Sequence, residues 1–164
     1  MIKIRGRSLE KRFEKSVIEN KESFYRLAYY YVKNHHDAMD VLQESILKGY
    51  SNLSKIKDEN AIDKYLNRII INTAIDFIRK NSKMIFTDDE CLKEKRVDFY
   101  EDYINYAVDD LEPELKSIIV LKYFHGYKIS EVAEILGISV STVKNRMHKA
   151  LKQLRVEIKE ESYE

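Results

Sequence analysis

Five cations and no carboxylate follow Glu134 in the stretch EVAEILGISVSTVKNRMHKALKQLR, residues 131–155. Val143, Met147, Ala150, Leu151 and Leu154 recur there at helical spacing, so a helix would turn them inward. Its opposite side then carries Ser141, Lys144, Asn145, His148, Lys149 and Lys152. These types can read base edges: lysine donates to guanine acceptors, and an asparagine amide makes a two-pronged pair with adenine. Arg146, Lys149, Lys152 and Arg155 suit phosphate contacts along the same helix. At roughly 1.5 Å per residue such a helix spans about 24 Å, and a major groove about 12 Å wide accepts it. A solvated cationic face would carry the same charges, so the elements that position the helix decide.

Ile129, Val132, Ala133 and Leu136 form an i, i+3, i+4, i+7 stripe immediately upstream. Ala133 is small where two helices cross, Gly137 can take the left-handed conformation that ends a helix, and Ser139 can cap the next. The pattern is helix, tight turn, helix, a frame that sets its second helix in a DNA groove. Before it, Leu111, Leu115, Ile118 and Ile119 mark another helix, with Pro113 near its start and a break at His125-Gly126.

The N-terminal half reads as a second group of helices. Phe24, Leu27, Ala28 and Tyr31 share one stripe, Asn34-His35-His36 breaks it, and Ala38, Val41, Leu42 and Ile46 begin another. Asp37 suits the N-cap or first turn of that second helix. Asp37, Asp40 and Glu44 lie opposite the apolar stripe, an acidic edge suited either to a basic partner or to water. After the polar stretch Ser51 to Asn60, a helix from about Ala61 to Lys80 turns Leu66, Ile69, Ile70, Thr73 and Phe77 inward. Its other face groups Lys64, Arg68, Asn72 and Arg79 beside Tyr65. An opened nucleic-acid strand needs such parts: a cationic track, an apolar or flat surface and an amide.

Bulk composition narrows the class. The chain has 164 residues and a formal charge of +1, yet residues 1–80 hold 16 Lys/Arg against 11 Asp/Glu, residues 81–115 hold 4 against 11, and residues 116–164 hold 9 against 6. Two basic halves flank an acidic middle, and a partner meets local charge because screening hides what lies beyond roughly 10 Å. Four Gly, one Pro and no alternating segments predict an all-α fold. Cys91 is the single cysteine, which excludes an intramolecular disulfide and fits a reducing cytoplasm. No Cys/His cluster has metal-site spacing, and no run approaches the roughly 18 apolar residues of a membrane span. These features predict no metal, no cofactor, no small-molecule substrate and no insertion into a membrane. The expected organisation is a helical domain over 1–80, an acidic flexible linker over 81–106, a helix-turn-helix domain over 107–158 and a tail over 159–164.

FYRLAYYYVKNHHDAMDVLQESILKGY (24–50), YLNRIIINTAIDFIRK (65–80) and LEPELKSIIVLKYFHGYKISEVAEILGISVSTVKNRMHKALKQLR (111–155) together resemble the extracytoplasmic-function (ECF) group of the sigma-70 family of bacterial RNA polymerase sigma factors. The resemblance implies two domains, region 2 as a three- or four-helix bundle and region 4 as the helix-turn-helix. It assigns Asp37, Asp40, Gln43 and Glu44, a D-A-x-D-x-x-Q-E pattern with Ala38, to binding of core polymerase. It assigns Asn52, Ile56, Tyr65, Arg68 and Asn72 to the promoter minus-ten element, where the family often has an aromatic in place of Ile56. Ser141, Thr142, Lys144, Asn145, Arg146, His148, Lys149 and Lys152 fall in the helix that meets the minus-thirty-five element, with Lys144, Asn145, His148 and Lys149 at reading positions and Thr142 and Arg146 at phosphate-holding positions. The family commonly begins its first region 4 turn-helix with Ser, where Lys128 stands here.

The same resemblance implies three partners: core polymerase, promoter DNA and an anti-sigma factor, often membrane-anchored. It implies no catalysis. Two other readings address parts of the sequence. A helix-turn-helix repressor or activator that is not a polymerase subunit would explain the C-terminal half, and would bind a symmetric site as a dimer. A metal protein or enzyme would use His35, His36, Asp37, Asp40 and Glu44, but these lack the Glu-x-x-His pairs of di-iron bundles.

Overall fold

The structure, a computed structural model, describes residues 2–82 and 107–161, and every regular element among them is helical. The acidic linker expected over 81–106 lies almost wholly outside the described residues. Contacts divide the chain into two compact units, Met1–Asn81 and Ser82–Glu164.

In the first unit, α1 spans Ile2–Val32, α2 His35–Ser51 and α3 Ile62–Ser82, with short 3-10 turns at Leu53–Lys55 and Glu59–Ala61 before α3. The stripe expected from Phe24 to Tyr31 is buried, and it extends back through Leu9, Phe13 and Ser16. Thus α1 is far longer than the periodicity around residues 24–31 predicts. Between α1 and α2 stand only Lys33, in the left-handed region at φ 54°, and Asn34. Asn34 is the N-cap of α2: its side-chain oxygen accepts from the Asp37 N–H at 3.1 Å. Asp37 therefore takes the first-turn position, where its charge meets the positive end of the helix.

Ala38, Val41 and Leu42 are buried against α1, while Ile46 is only half-buried. Farther along α2, Gly49 provides a close approach. A Cβ there would lie 3.0 Å from Leu66 Cδ2 and 3.1 Å from the Phe13 ring, tighter than packed carbon atoms sit. On α3, Leu66, Ile70, Ile71, Thr73 and Ala74 are buried, with Ile69 and Phe77 at the margin.

In the second unit, residues 107–109 are helical and bury Ala107 and Val108. Then come α4 (Pro113–Ile119), a π-helical turn (Val120–Phe124), α5 (Ile129–Leu136) and α6 (Val140–Glu161). Pro113 occupies the first turn of α4, where its missing N–H costs nothing. The π turn ends as the His125 N–H bonds to the Val120 carbonyl at 3.0 Å, and Gly126 reverses the chain at φ 71°.

Lys128, which lacks an acceptor side chain, cannot make the usual forward cap of α5. The reverse half remains, with the Glu131 carboxylate accepting from the Lys128 N–H at 2.9 Å. Gly137 ends α5 at φ 67°, and the Ile138 N–H reaches back to the Ala133 carbonyl at 3.0 Å. This is a Schellman closure, and it aims the chain into α6.

The core of this unit contains Val108, Leu111, Leu115, Ile118, Ile119, Val120, Leu121, Val132, Ile135, Val143 and Ala150. Lys116 is buried as well, and its ammonium is paired with Asp109 at 2.8 Å. Leu151, expected inward, is 41% exposed because it stands off the Val143–Ala150 stripe. The helix continues through Glu161, into the tail expected over 159–164.

Candidate polymerase and nucleic-acid interfaces

Three surfaces carry the residues that the sequence singles out. On α2, Asp40, Gln43 and Glu44 are exposed and Asp37 is half-buried. Glu44 is paired with Lys48 at 2.6 Å, an i, i+4 contact on a wet surface that leaves the carboxylate accessible. The same face shows two groups that the acidic pattern hides. His36 is exposed, and Leu47 is 67% exposed. Residues 36, 40, 43 and 47 follow one helical row, so the spacing alone could have revealed them. An apolar side chain beside carboxylates suits a protein partner better than a purely solubilising face does.

On α3, Arg68, Asn72 and Arg79 are exposed and Lys64 is half-buried, all within one strip. Asp76 is exposed in the same i, i+4 series, so an acid interrupts the cationic track. Tyr65 borders the strip, half-buried, and burial raises its phenol pKa above the ordinary tyrosine value. Asn52 and Ile56 lie in the connection ahead of α3 rather than on it. Asn52 closes α2, with its amide nitrogen donating to the Lys48 carbonyl at 2.9 Å. Ile56 is half-buried and closes the first 3-10 turn through its N–H to the Leu53 carbonyl at 3.0 Å.

On α6, Ser139 is the cap that the sequence predicts. Its hydroxyl accepts from the Thr142 N–H at 3.1 Å and lies 2.9 Å from the Ser141 hydroxyl and 2.7 Å from that of Thr142. This chain of hydroxyls fixes the start of the helix, where backbone N–H groups favour an anion. Ser141, Lys144, Asn145, His148, Lys149, Lys152 and Arg155 are exposed, and Thr142 and Arg146 are half-buried. Two of these cations have acidic neighbours that the linear sequence separates by more than thirty positions. Arg146 Nη2 meets Glu114 Oε2 at 2.6 Å, and Lys149 Nζ meets Glu112 Oε2 at 3.4 Å.

Among the described residues, no group of three or more His, Cys, Asp or Glu could hold a metal ion, and no helix is long and apolar enough to cross a membrane.

Comparison with known proteins matches both halves of the chain to one family. Residues 17–84 match the model of sigma-70 region 2, and residues 101–154 match that of sigma-70 region 4. The chain is 40% identical over 149 residues to the RNA polymerase sigma factor SigV of Bacillus subtilis, covering 88% of this chain and 90% of that protein. It is 29% identical over 159 residues to the ECF RNA polymerase sigma factor SigW of the same organism, covering 85% of each. Among solved structures, the sigma factor RpoE of Bartonella quintana, crystallised with the anti-sigma factor NepR, superposes with a TM-score of 0.71. That match covers 91% of this chain and 98% of the other at 19% identity, and so speaks to the fold. With both family regions present in order and a close relative matched along most of its length, this chain belongs to the sigma-70 family of RNA polymerase sigma factors, in its extracytoplasmic-function group.

Proposed function

We propose that this sigma factor binds core RNA polymerase through the exposed face of α2 and directs it to promoters carrying two unlike elements. The observation that supports this most directly is the α2 face itself. Asp40, Gln43 and Glu44 stand in water with Leu47 among them, while Ala38, Val41 and Leu42 are spent on the core. Such a surface offers complementary charge for steering and an apolar group for affinity.

In this reading Asp37, Asp40, Gln43 and Glu44 bind polymerase. Lys64, Arg68 and Arg79 carry the backbone of the opened minus-ten strand, while Asn52, Ile56, Tyr65 and Asn72 surround an unstacked base. The α6 helix enters the minus-thirty-five major groove. Lys144, Asn145, His148 and Lys149 face base edges, Lys149 within reach of phosphate as well, and Ser141, Thr142, Arg146 and Lys152 hold register and phosphates. The chain has no catalysis of its own. Its other partner is an anti-sigma protein that covers these surfaces, a reading supported by the RpoE relative, which was crystallised in complex with its anti-sigma factor NepR.

Run-off transcription with purified bacterial core polymerase, with and without the protein, on a library of genomic upstream fragments tests this reading. Discrete starts that depend on the protein are the expected result, and their alignment would yield both elements. Absence of stimulation, together with no capture of core enzyme in a pull-down, would leave α6 as an ordinary operator reader.

A further inference from the structure

Glu112 and Glu114 flank Pro113 at the start of α4, and α4 packs along α6. Their carboxylates engage donors on Lys149 and Arg146 that a DNA phosphate would also use. A carboxylate and a phosphate offer the same kind of oxygen to a guanidinium or an ammonium. The two kinds of anion therefore compete for one set of donors.

We infer that Glu112 and Glu114 are built-in phosphate competitors that set the DNA affinity of α6. This rests on the DNA-reading role proposed for that helix. Three of the candidate base readers, Lys144, Asn145 and His148, are exposed and stand in neither ion pair, while the pairs engage Arg146, a phosphate-holding position, and Lys149, which suits both phosphate and base contacts. Arg146 is the more committed cation, since its side chain is 33% exposed and its pair is short, whereas the Lys149 side chain is 56% exposed and its contact is longer.

Phosphate anchoring supplies nearly all sequence-independent affinity. A chain that neutralises its own anchors therefore binds arbitrary duplex weakly and depends on polymerase to hold it at a promoter. Sequence preference carried by Lys144, Asn145 and His148 is not lowered by the competition.

The test is fluorescence anisotropy of the full chain on a mixed-sequence duplex across a series of salt concentrations. The variants are Glu114→Gln, the double variant Glu112→Gln/Glu114→Gln, Arg146→Ala and Lys152→Ala, each checked for native helix content by circular dichroism. Glutamine keeps the shape and removes the charge. The double variant should bind several-fold tighter at low salt. Its plot of log affinity against log salt should steepen by up to about 2, since each phosphate contact contributes about 0.9. Glu114→Gln alone should produce the larger share.

Unchanged affinity and slope would overturn the inference by making the carboxylates bystanders. Weaker binding would overturn it in the opposite sense, because the carboxylates would then be orienting the cations toward DNA. If neither Arg146→Ala nor Lys152→Ala weakens the wild-type chain, α6 does not hold the duplex, and both the DNA-reading role and the inference fall.

Discussion

Asn145 illustrates how much a single exposed amide can decide. Its position on the wet face of α6 was legible from spacing, because Val143, Met147, Ala150 and Leu154 left it no other direction. Asn145→Ala should relax preference at one upstream promoter position at a cost of about 1–3 kcal/mol. Selection from a randomised promoter library would show this, and unchanged preference would remove Asn145 from the readers. Tyr65 was legible as a neighbour of the α3 strip, but its environment was not, since partial burial depends on what packs over it. Burial favours the neutral phenol in the folded state, so the folded pKa lies above the unfolded value of about 10. The stability this contributes is complete below that value and is lost as pH rises through the folded pKa. In denaturant titrations from pH 8 to 11, the difference between the wild type and Tyr65→Phe should therefore shift in favour of the variant as pH rises.

The helices themselves were largely readable, and the departures have physical causes. The first half of α1 eluded the sequence reading because Leu9 and Phe13 sit in a charged, Gly-containing start whose apolar stripe is thin. The π turn after α4 was invisible because an inserted residue within a helix leaves no compositional mark. The α4–α6 ion pairs were hidden because they join residues distant in sequence. By contrast, Gly137 and Ser139 announced their turn, since few residue types can fill those positions.

Gly49 belongs to the elements too, because it fixes how closely α2 approaches Phe13 on α1 and Leu66 on α3. Alanine there gains about 1 kcal/mol of helix propensity but must displace two buried side chains, at about 1–3 kcal/mol. Gly49→Ala should therefore destabilise the first unit, by up to about 2 kcal/mol. Thermal unfolding followed by circular dichroism would measure it, and a raised melting temperature would show that the neighbours can yield.

At the scale of the whole molecule, the two surfaces proposed to read DNA reside on separate compact units of one chain. Under that proposal polymerase presents both to one duplex, so the distance between promoter elements becomes a parameter that neither unit sets alone. Inserting about 5 base pairs between them turns one element to the opposite side of the duplex. Transcription should then collapse, while an insertion of about 10 base pairs restores the facing but not the distance and should recover only part of it. Equal activity on all three templates would mean that one unit suffices.

The two-residue link between α1 and α2 has a kinetic consequence. Lys33 and Asn34 reverse the chain so tightly that α1 and α2 pack together across a very small loop, which costs little entropy to close. This hairpin can assemble before the later turns carry α3 into place. Small truncations at Leu27 or Val41 should therefore slow refolding in stopped-flow experiments, whereas Ile70→Val on α3 should chiefly hasten unfolding. A left-handed lysine and a capping asparagine would thus set the order in which the first unit is built.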